Sequence, residues 1–214
     1  MVPPLLPPQI LVGIVANNIT NSMTFSLYLS PLSLSQPEIA ASQIIFGGID
    51  PSLYVGTLYE FDTYGNEYYY VQISSINVTS TGESLFHDDA AYPILVDSGT
   101  IQMILPSDQA DSIGALAKGT YHNSSTNLLD NYFTCNCNDV PWNDSLTFTL
   151  FGKLQIEVPW TDLVNNNTGV SGQCIIPISY AQHAGGGILV DLNLQGLTIG
   201  RDVPTPYLSR LRCR

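Results

Sequence analysis

The most direct chemistry in this sequence lies where an apolar run ends in an aspartate. Ile94-Leu95-Val96 leads into Asp97-Ser98-Gly99-Thr100, and Met103-Ile104-Leu105-Pro106 follows. A carboxylate at the end of a buried strand is costly unless it is hydrogen-bonded. Gly99 lets a backbone N–H approach the carboxylate. The hydroxyls of Ser98 and Thr100 donate to it or to neighbouring backbone. Such a site holds an aspartate in fixed geometry with a tunable proton affinity, which suits acid–base work. Taken alone, the short string also describes a turn in which Asp97 caps local backbone.

The other reactive residue types form no comparable constellation. The cysteines are Cys135, Cys137, Cys174 and Cys213. There is no CxxC pair, and Cys-x-Cys without a nearby histidine is a poor zinc site, so neither a metal nor another cofactor is expected. One disulfide is expected, joining Cys174 to either Cys135 or Cys137. His87, His122 and His183 are isolated in polar stretches and read as surface residues. Trp142 and Trp160 read as packing residues rather than sugar platforms. Asn-x-Ser/Thr sequons begin at Asn18, Asn77, Asn123, Asn143 and Asn166, so these are candidate glycosylation sites.

The elements that must position Asp97 are mostly strands. Thr24–Leu29, Gln43–Phe46, Tyr54–Leu58 and Tyr68–Val78 carry aromatic and aliphatic strand patterns, and the last alternates most clearly. Gly47-Gly48 and Tyr64-Gly65-Asn66 read as turns. Ile94–Val96 reads as a short buried strand running into a tight turn. Further strands are predicted at Leu146–Leu150, Leu154–Val158, Cys174–Ile178 and Ile188–Leu194. One helix is predicted after Pro106, with Ser107 as N-cap and Asp108 and Asp111 in its first turn. Ile113, Leu116 and Ala117 make its apolar face, and Gly119 its C-cap. The loop Asn165–Gly172 is polar.

Composition agrees with an all-β domain. Hydrophobic residues are 44% and charged residues 11% of 214, with 17 Gly and 14 Pro to make turns. The net charge of −12 argues against nucleic acid, whose phosphates need a basic surface, and against anionic membranes. It suits an acidic medium, where carboxylates protonate and self-repulsion falls, and solubility alone explains it about as well. No stretch is long and apolar enough to span a membrane. Met1–Gln9 has no basic segment before an apolar one and does not read as a signal peptide. A secretory-looking body without a signal suggests a fragment, a processed chain or an incomplete gene model. Four of the six basic residues fall in the last 14 positions. Residues 1–200 are therefore read as one domain and 201–214 as a divergent basic tail.

The ordered motifs resemble the C-terminal lobe of the pepsin-like aspartic proteases, in particular fungal ones. The motifs are Phe25-Ser26-Leu27-Tyr28-Leu29, then Ile45-Phe46-Gly47-Gly48-Ile49-Asp50-Pro51 with Tyr54, Gly56 and Leu58. Tyr69–Ile73, the Leu95–Thr100 motif, Leu105-Pro106, Leu146-Thr147-Phe148, Val158-Pro159 and Cys174 follow in order. The resemblance covers roughly residues 10–190. It implies one lobe of a bilobal, mostly β fold with one or two short helices. It implies aspartic endopeptidase activity, in which two aspartates share a proton and activate one water. Such dyads are the standing example of like charges that cannot both ionise easily. On that basis Asp97 is one catalytic aspartate, Ser98 bonds across to the other lobe, and Thr100 orients Asp97. The substrate is an extended peptide, and the setting is secreted, cell-surface or vacuolar.

The resemblance also sets out what departs from the family. No Asp-Thr-Gly motif of an N-terminal lobe is found, so that lobe is expected as a missing partner. Asp62-Thr63-Tyr64-Gly65 has a tyrosine inserted and reads as a turn, and Asp50 before Pro51 reads as a turn residue. Val190 stands where the family has a glycine beneath the catalytic loop, so displacement of that loop is expected. An exposed apolar face is expected where the missing lobe would pack. The alternative to a protease lobe is an inactive one that binds peptides or serves as a structural cell-surface protein.

Overall fold

The computed structural model describes residues 9–28, 42–53, 58–62, 69–97, 100, 102–124, 131–166, 168–181, 187–190, 198–200 and 210–213. Helix α1 (Gln9–Ala16) opens the chain, followed by strands β1 (Phe25–Tyr28), β2 (Gln43–Phe46) and β3 (Tyr59–Asp62). Next come β4 (Tyr70–Val78), β5 (Ser84–Asp97), β6 (Met103–Leu105), helix α2 (Ser107–Leu116), β7 (Thr120–His122) and β8 (Tyr132–Asn136). Strands β9 (Ser145–Leu150) and β10 (Leu154–Pro159), the one-turn helix α3 (Trp160–Leu163), β11 (Gln173–Ile176) and β12 (Ile178–Tyr180) follow. The last are β13 (Gly187–Val190), β14 (Thr198–Gly200) and β15 (Arg210–Cys213). The chain is mostly strand, as expected, with three short helices among the described residues rather than one or two.

The chain divides into two compact units, Met1–Tyr69 with Asn193–Arg214 and Tyr70–Leu192. In the first unit, β1 and β2 form an antiparallel ribbon from Phe25↔Phe46 to Tyr28↔Gln43. Gly47 ends it at φ +85°, and a Cβ there would stand 2.7 Å from Thr20 Cβ. Only glycine fits such a conformation and approach. Strand β15 lies between β14 and β3 in a separate three-stranded sheet. Thus part of the basic tail, Arg210–Cys213, is built into a sheet and pairs with Asp62–Tyr59. Residues Ile10, Val12, Ile19, Ile44, Phe46 and Tyr59 of this unit are exposed.

The second unit holds the main core, around a seven-stranded sheet ordered β10-β9-β4-β5-β13-β6-β12. Val71, Ile73 and Ile76 of β4 and Leu146, Phe148 and Leu150 of β9 are fully or almost fully buried. The alternation along β4 slips at Ser75 and Ile76, where both side chains are buried. A register shift against β5 and β9 falls between Ile73 and Ser75. An extra residue there exchanges the faces on which later side chains lie. Strand β5 begins ten residues before the predicted apolar run. Pro93 lies within it, and β13 pairs only from Ile94 onward. A residue without N–H is tolerated where one side of the strand has no ladder partner. Pro177 separates β11 from β12, which the sequence joins in one pattern.

Helix α2 departs from its predicted ends by one residue each. Pro106 occupies the N-cap position, with extended ψ of 145° and no side-chain cap bond, so Ser107 is the first helical residue. The Pro106 carbonyl accepts from the N–H groups of Gln109 and Ala110. Asp111 lies beyond the first turn, where Asp108 alone is acidic. At the other end Lys118, not Gly119, takes positive φ, at 50°. The N–H of Lys118 bonds Ala115 O and that of Gly119 bonds Gly114 O, the two bonds of a Schellman motif. Gly119 serves through size, since a Cβ there would meet Gly114 O at 3.1 Å and Phe133 Cβ at 3.2 Å.

Candidate functional site

Asp97 is the last residue of β5, and two ladders fix that end of the strand. On one side β4 runs antiparallel, with Tyr70 opposite Leu95 and Val71 opposite Ile94. On the other side β13 runs parallel and in register, with Leu189 beside Val96 and Val190 beside Asp97. Ile94 is fully buried, while Leu95, Val96 and Asp97 are half-buried. The aspartate therefore stands where the sheet gives way to solvent, backed by an apolar strand. Strand β13 also touches β6 through Ile188↔Ile104, so it joins the strands on either side of the motif.

Thr100 Oγ1 donates to Asp97 Oδ2 at 2.6 Å, three residues along. That length is typical of a hydroxyl bonding to a carboxylate. It fixes one carboxylate oxygen and hence the rotation of the group. The structure thus brings together two of the four motif residues. Ser98 and Gly99 lie outside the described residues. Beyond the motif, Gln102 is buried and its Nε2 donates to Asn131 O at 3.1 Å. Fully buried Met103 and Leu105 anchor β6 in the core.

The sequence reading did not find a cluster of rings behind α2. Tyr180 Oη donates to Asp111 Oδ1 at 2.5 Å, and its backbone N–H to Tyr121 Oη at 3.2 Å. Its ring stacks on Tyr121 at 3.7 Å, and Tyr121 in turn lies 5.0 Å from the Phe133 ring. Desolvation, the bond to Asp111 and the Asp111 charge raise the Tyr180 phenol above its ordinary range. Asp111 and Tyr180 are 69 residues apart, and only their aromatic and acidic types hint at the pair.

The other candidate residues fall as follows. Cys137 and Cys174 form a disulfide with Cα atoms 5.1 Å apart, and Cys135 is a buried free thiol. Burial, helped by the Asp139 charge, pushes that thiol up. An open cleft of about 440 Å³ runs beside it, lined by Lys118, Thr134, Asp139 and Gln173 among others. His87 and His122 are exposed, and His183 lies outside the described residues. Among the described residues no group of three or more His, Cys, Asp or Glu could hold a metal ion. Trp160 is fully buried and Trp142 half-buried, its Nε1 donating to Cys137 O at 2.8 Å. Asp50 Oδ1 accepts from Ser52 N–H at 2.8 Å and Ser52 Oγ at 2.7 Å, so it caps a turn. Asp62 ends β3, and 63–68 lie outside the described residues. Asn18, Asn123, Asn143 and Asn166 are exposed. Asn77 is half-buried in β4 and donates to Ser75 Oγ at 3.3 Å.

Comparison with known proteins points the same way as the motif. The sequence is 30% identical to candidapepsin-2 of Candida parapsilosis over 148 residues, 67% of this chain and 32% of that protein. It is 32% identical to secreted aspartic protease 8 of Candida albicans over 146 residues, 68% of this chain and 32% of that protein. To rhizopuspepsin-3 of Rhizopus niveus it is 27% identical over 171 residues, 80% of this chain and 39% of that protein. The chain thus spans about a third of the length of these curated relatives. No helix among the described residues is long and apolar enough to cross a membrane. The eukaryotic aspartyl protease profile matches residues 8–199, and with an Asp-Ser-Gly-Thr aspartate held by its threonine at the end of a sheet strand, this chain belongs to that family.

Proposed function

We propose that this chain is half of an aspartic endopeptidase site, with Asp97 as one of the two carboxylates. The observation that carries this is the Thr100–Asp97 hydrogen bond at the mouth of the sheet. It leaves Asp97 oriented and partly open to solvent, as a group that must touch water and substrate needs to be. The second carboxylate would come from a lobe outside this chain. Three features support that reading: the matched segment covers only 32% of each of two relatives, Asp97-Ser98-Gly99 is the one Asp-Ser/Thr-Gly string in the sequence, and large apolar side chains are exposed in the first unit.

In the mechanism, the two carboxylates share one proton across a bound water. One takes a proton as the water attacks the scissile carbonyl, and the other donates a proton as the amine leaves. Thr100 holds one oxygen of Asp97 and so fixes the plane in which the carboxylate would meet the water. Ser98 would tie the two lobes together. The peptide would lie extended between them. The secretory pathway is the natural location, since a relative is itself named a secreted protease and Asn18, Asn123 and Asn166 are exposed sequon asparagines.

The test is hydrolysis of a denatured protein at about pH 3–5, where aspartate dyads are singly protonated, with and without a statine-type inhibitor. The chain alone is expected to hydrolyse nothing. Joined to a lobe carrying Asp-Thr-Gly, it is expected to show inhibitable hydrolysis that Asp97→Asn abolishes. Inhibitable hydrolysis by the chain alone would refute the half-site reading, and hydrolysis that survives Asp97→Asn would refute the role of Asp97.

A further inference from the structure

We propose that Cys135, Cys137 and Cys174 form an exchange trio, in which the disulfide migrates between Cys137–Cys174 and Cys135–Cys174. Strands β8 and β11 pair antiparallel, and Cys135 is the direct register partner of Cys174. Such partners stand about 4.5–5.5 Å apart at Cα, inside the range of about 4.4–6.8 Å that a disulfide spans. The existing bridge has its Cα atoms 5.1 Å apart, so Cys174 has two partners at bridging distance. The free sulfur is already close, with Cys135 Sγ 3.9 Å from the carbonyl oxygen of Cys174. Cys137 follows directly after β8, as the first residue of the 3-10 turn Cys137–Asp139, and its N–H bonds Gly172 O, so it stands diagonal to Cys174 just past the end of the same ladder.

Loop entropy does not choose between the pairings. The sequence separation is 37 residues for Cys137–Cys174 and 39 for Cys135–Cys174. A difference of two residues changes the closure entropy negligibly. Native packing must decide, and it leaves one thiol over in either case. The exchange is balanced without an oxidant. The Cys135 thiolate attacks Cys174 Sγ, a Cys135–Cys174 bond forms, the Cys137–Cys174 bond breaks, and Cys137 leaves as thiolate and takes up a proton. Burial and Asp139 both oppose ionisation of Cys135, so the native exchange is slow. Its consequence is a change of exposure. The free thiol moves from the buried strand position of Cys135 to the half-buried 3-10 turn Cys137–Asp139.

Disulfide mapping with iodoacetamide trapping tests this, in mildly alkaline buffer without reductant and with Cys213→Ser to leave three sulfurs. Peptides bearing a Cys135–Cys174 bridge and a label on Cys137 are expected to accumulate over minutes to hours. Adding Cys135→Ser should abolish labelling at Cys137. A label confined to Cys135, with the Cys137–Cys174 bridge the only one found, would overturn the proposal. A second variant gives an independent readout: Cys137→Ser should form the Cys135–Cys174 bridge and show no reactive thiol in the folded state. If Cys135 and Cys174 both stay alkylatable in the folded variant, the trio does not exchange.

Discussion

Replacing Gly114 by alanine tests how tightly helix α2 is set against the sheet that follows the motif. Gly114 is buried in the helix interior. In open space the change would stabilise the helix by about 1 kcal/mol, since glycine is a poor helix former. Here an added Cβ would stand 2.5 Å from Phe133 Cε1 and 2.6 Å from Cδ1. That is nearly 1 Å inside ordinary carbon contact. The ring has little room to yield, because Phe133 is 3% exposed and packs on Tyr121 at 5.0 Å and Tyr180 at 6.1 Å. Overpacking of this kind costs about 1–3 kcal/mol, and a ring held on two sides points to the upper end. The expected net loss is about 2 kcal/mol, a fall in Tm of about 4–8 °C for a chain of this size. Thermal unfolding of Gly114→Ala, Phe133→Leu and the double variant measures it. The shorter leucine should relieve the clash, so that alanine at 114 becomes neutral or stabilising there, with a coupling above about 1 kcal/mol. An unchanged or raised Tm for Gly114→Ala alone would refute the argument.

Further outcomes follow from the same geometry. In the assembled protease, Thr100→Val should slow hydrolysis about 10- to 150-fold, the equivalent of a hydroxyl bond to a charged group of about 1.5–3 kcal/mol, and Thr100→Ser should restore most of it in the same kinetic assay. Cys174→Ser removes either bridge, and a closed loop of 37 residues implies a loss of about 4 kcal/mol in the chain-entropy account, read as a lower urea midpoint. Asp144 is held below the usual carboxylate range, chiefly by the Ser80 hydroxyl and then by the Ser145 N–H. Its folded affinity for protons is the lower one, so its contribution is complete above pH 3.8, the ordinary value, and is lost as pH falls through the folded value. Asp144→Asn should therefore reduce the acid sensitivity of the urea midpoint below that pH, by a small amount because the group is nearly solvent-exposed. In material from a secretory host, peptide mapping should find glycan at Asn18, Asn123 and Asn166 and none at Asn77, whose amide is half-buried in β4.

Features written in a few adjacent residues were legible in the sequence. The Asp97–Thr100 bond spans three residues, and the hydroxyl and carboxylate types announce it. Strand β2 has its predicted bounds and β4 begins two residues inside its own, and Asp50, read as a turn residue before Pro51, caps a turn. The signal weakened where two local rules compete. Helix α1, Gln-Ile-Leu-Val-Gly-Ile-Val-Ala, is rich in β-branched residues that favour strands, so no helix was expected there. The strand expected at Ile94–Val96 extends back to Ser84, because β4 pairs with Ser84–His87 and again from Tyr92 onward, on either side of a register shift. At the end of α2 the rule that glycine takes the left-handed position pointed to Gly119. The helix ends one residue sooner, and Lys118 takes that conformation because the N–H groups of Lys118 and Gly119 then reach the two free carbonyls.

What the sequence concealed was mainly long-range pairing. The choice between Cys135 and Cys137 turns on how β8 lies against β11 and on where β8 gives way to the 3-10 turn that begins at Cys137, and neither is written in one dimension. Val190 is the sharper case. The family resemblance made a glycine the expected residue, and its replacement a threat to the catalytic loop. The backbone of β13 nevertheless pairs with β5 up to Val190 opposite Asp97. A parallel ladder is made by N–H and C=O groups alone, and valine is a better strand former than glycine. The glycine is therefore not required for forming the strand that supports Asp97. Any purpose it serves in the family must concern the space beside that strand, where the loop bearing the aspartate has to pass.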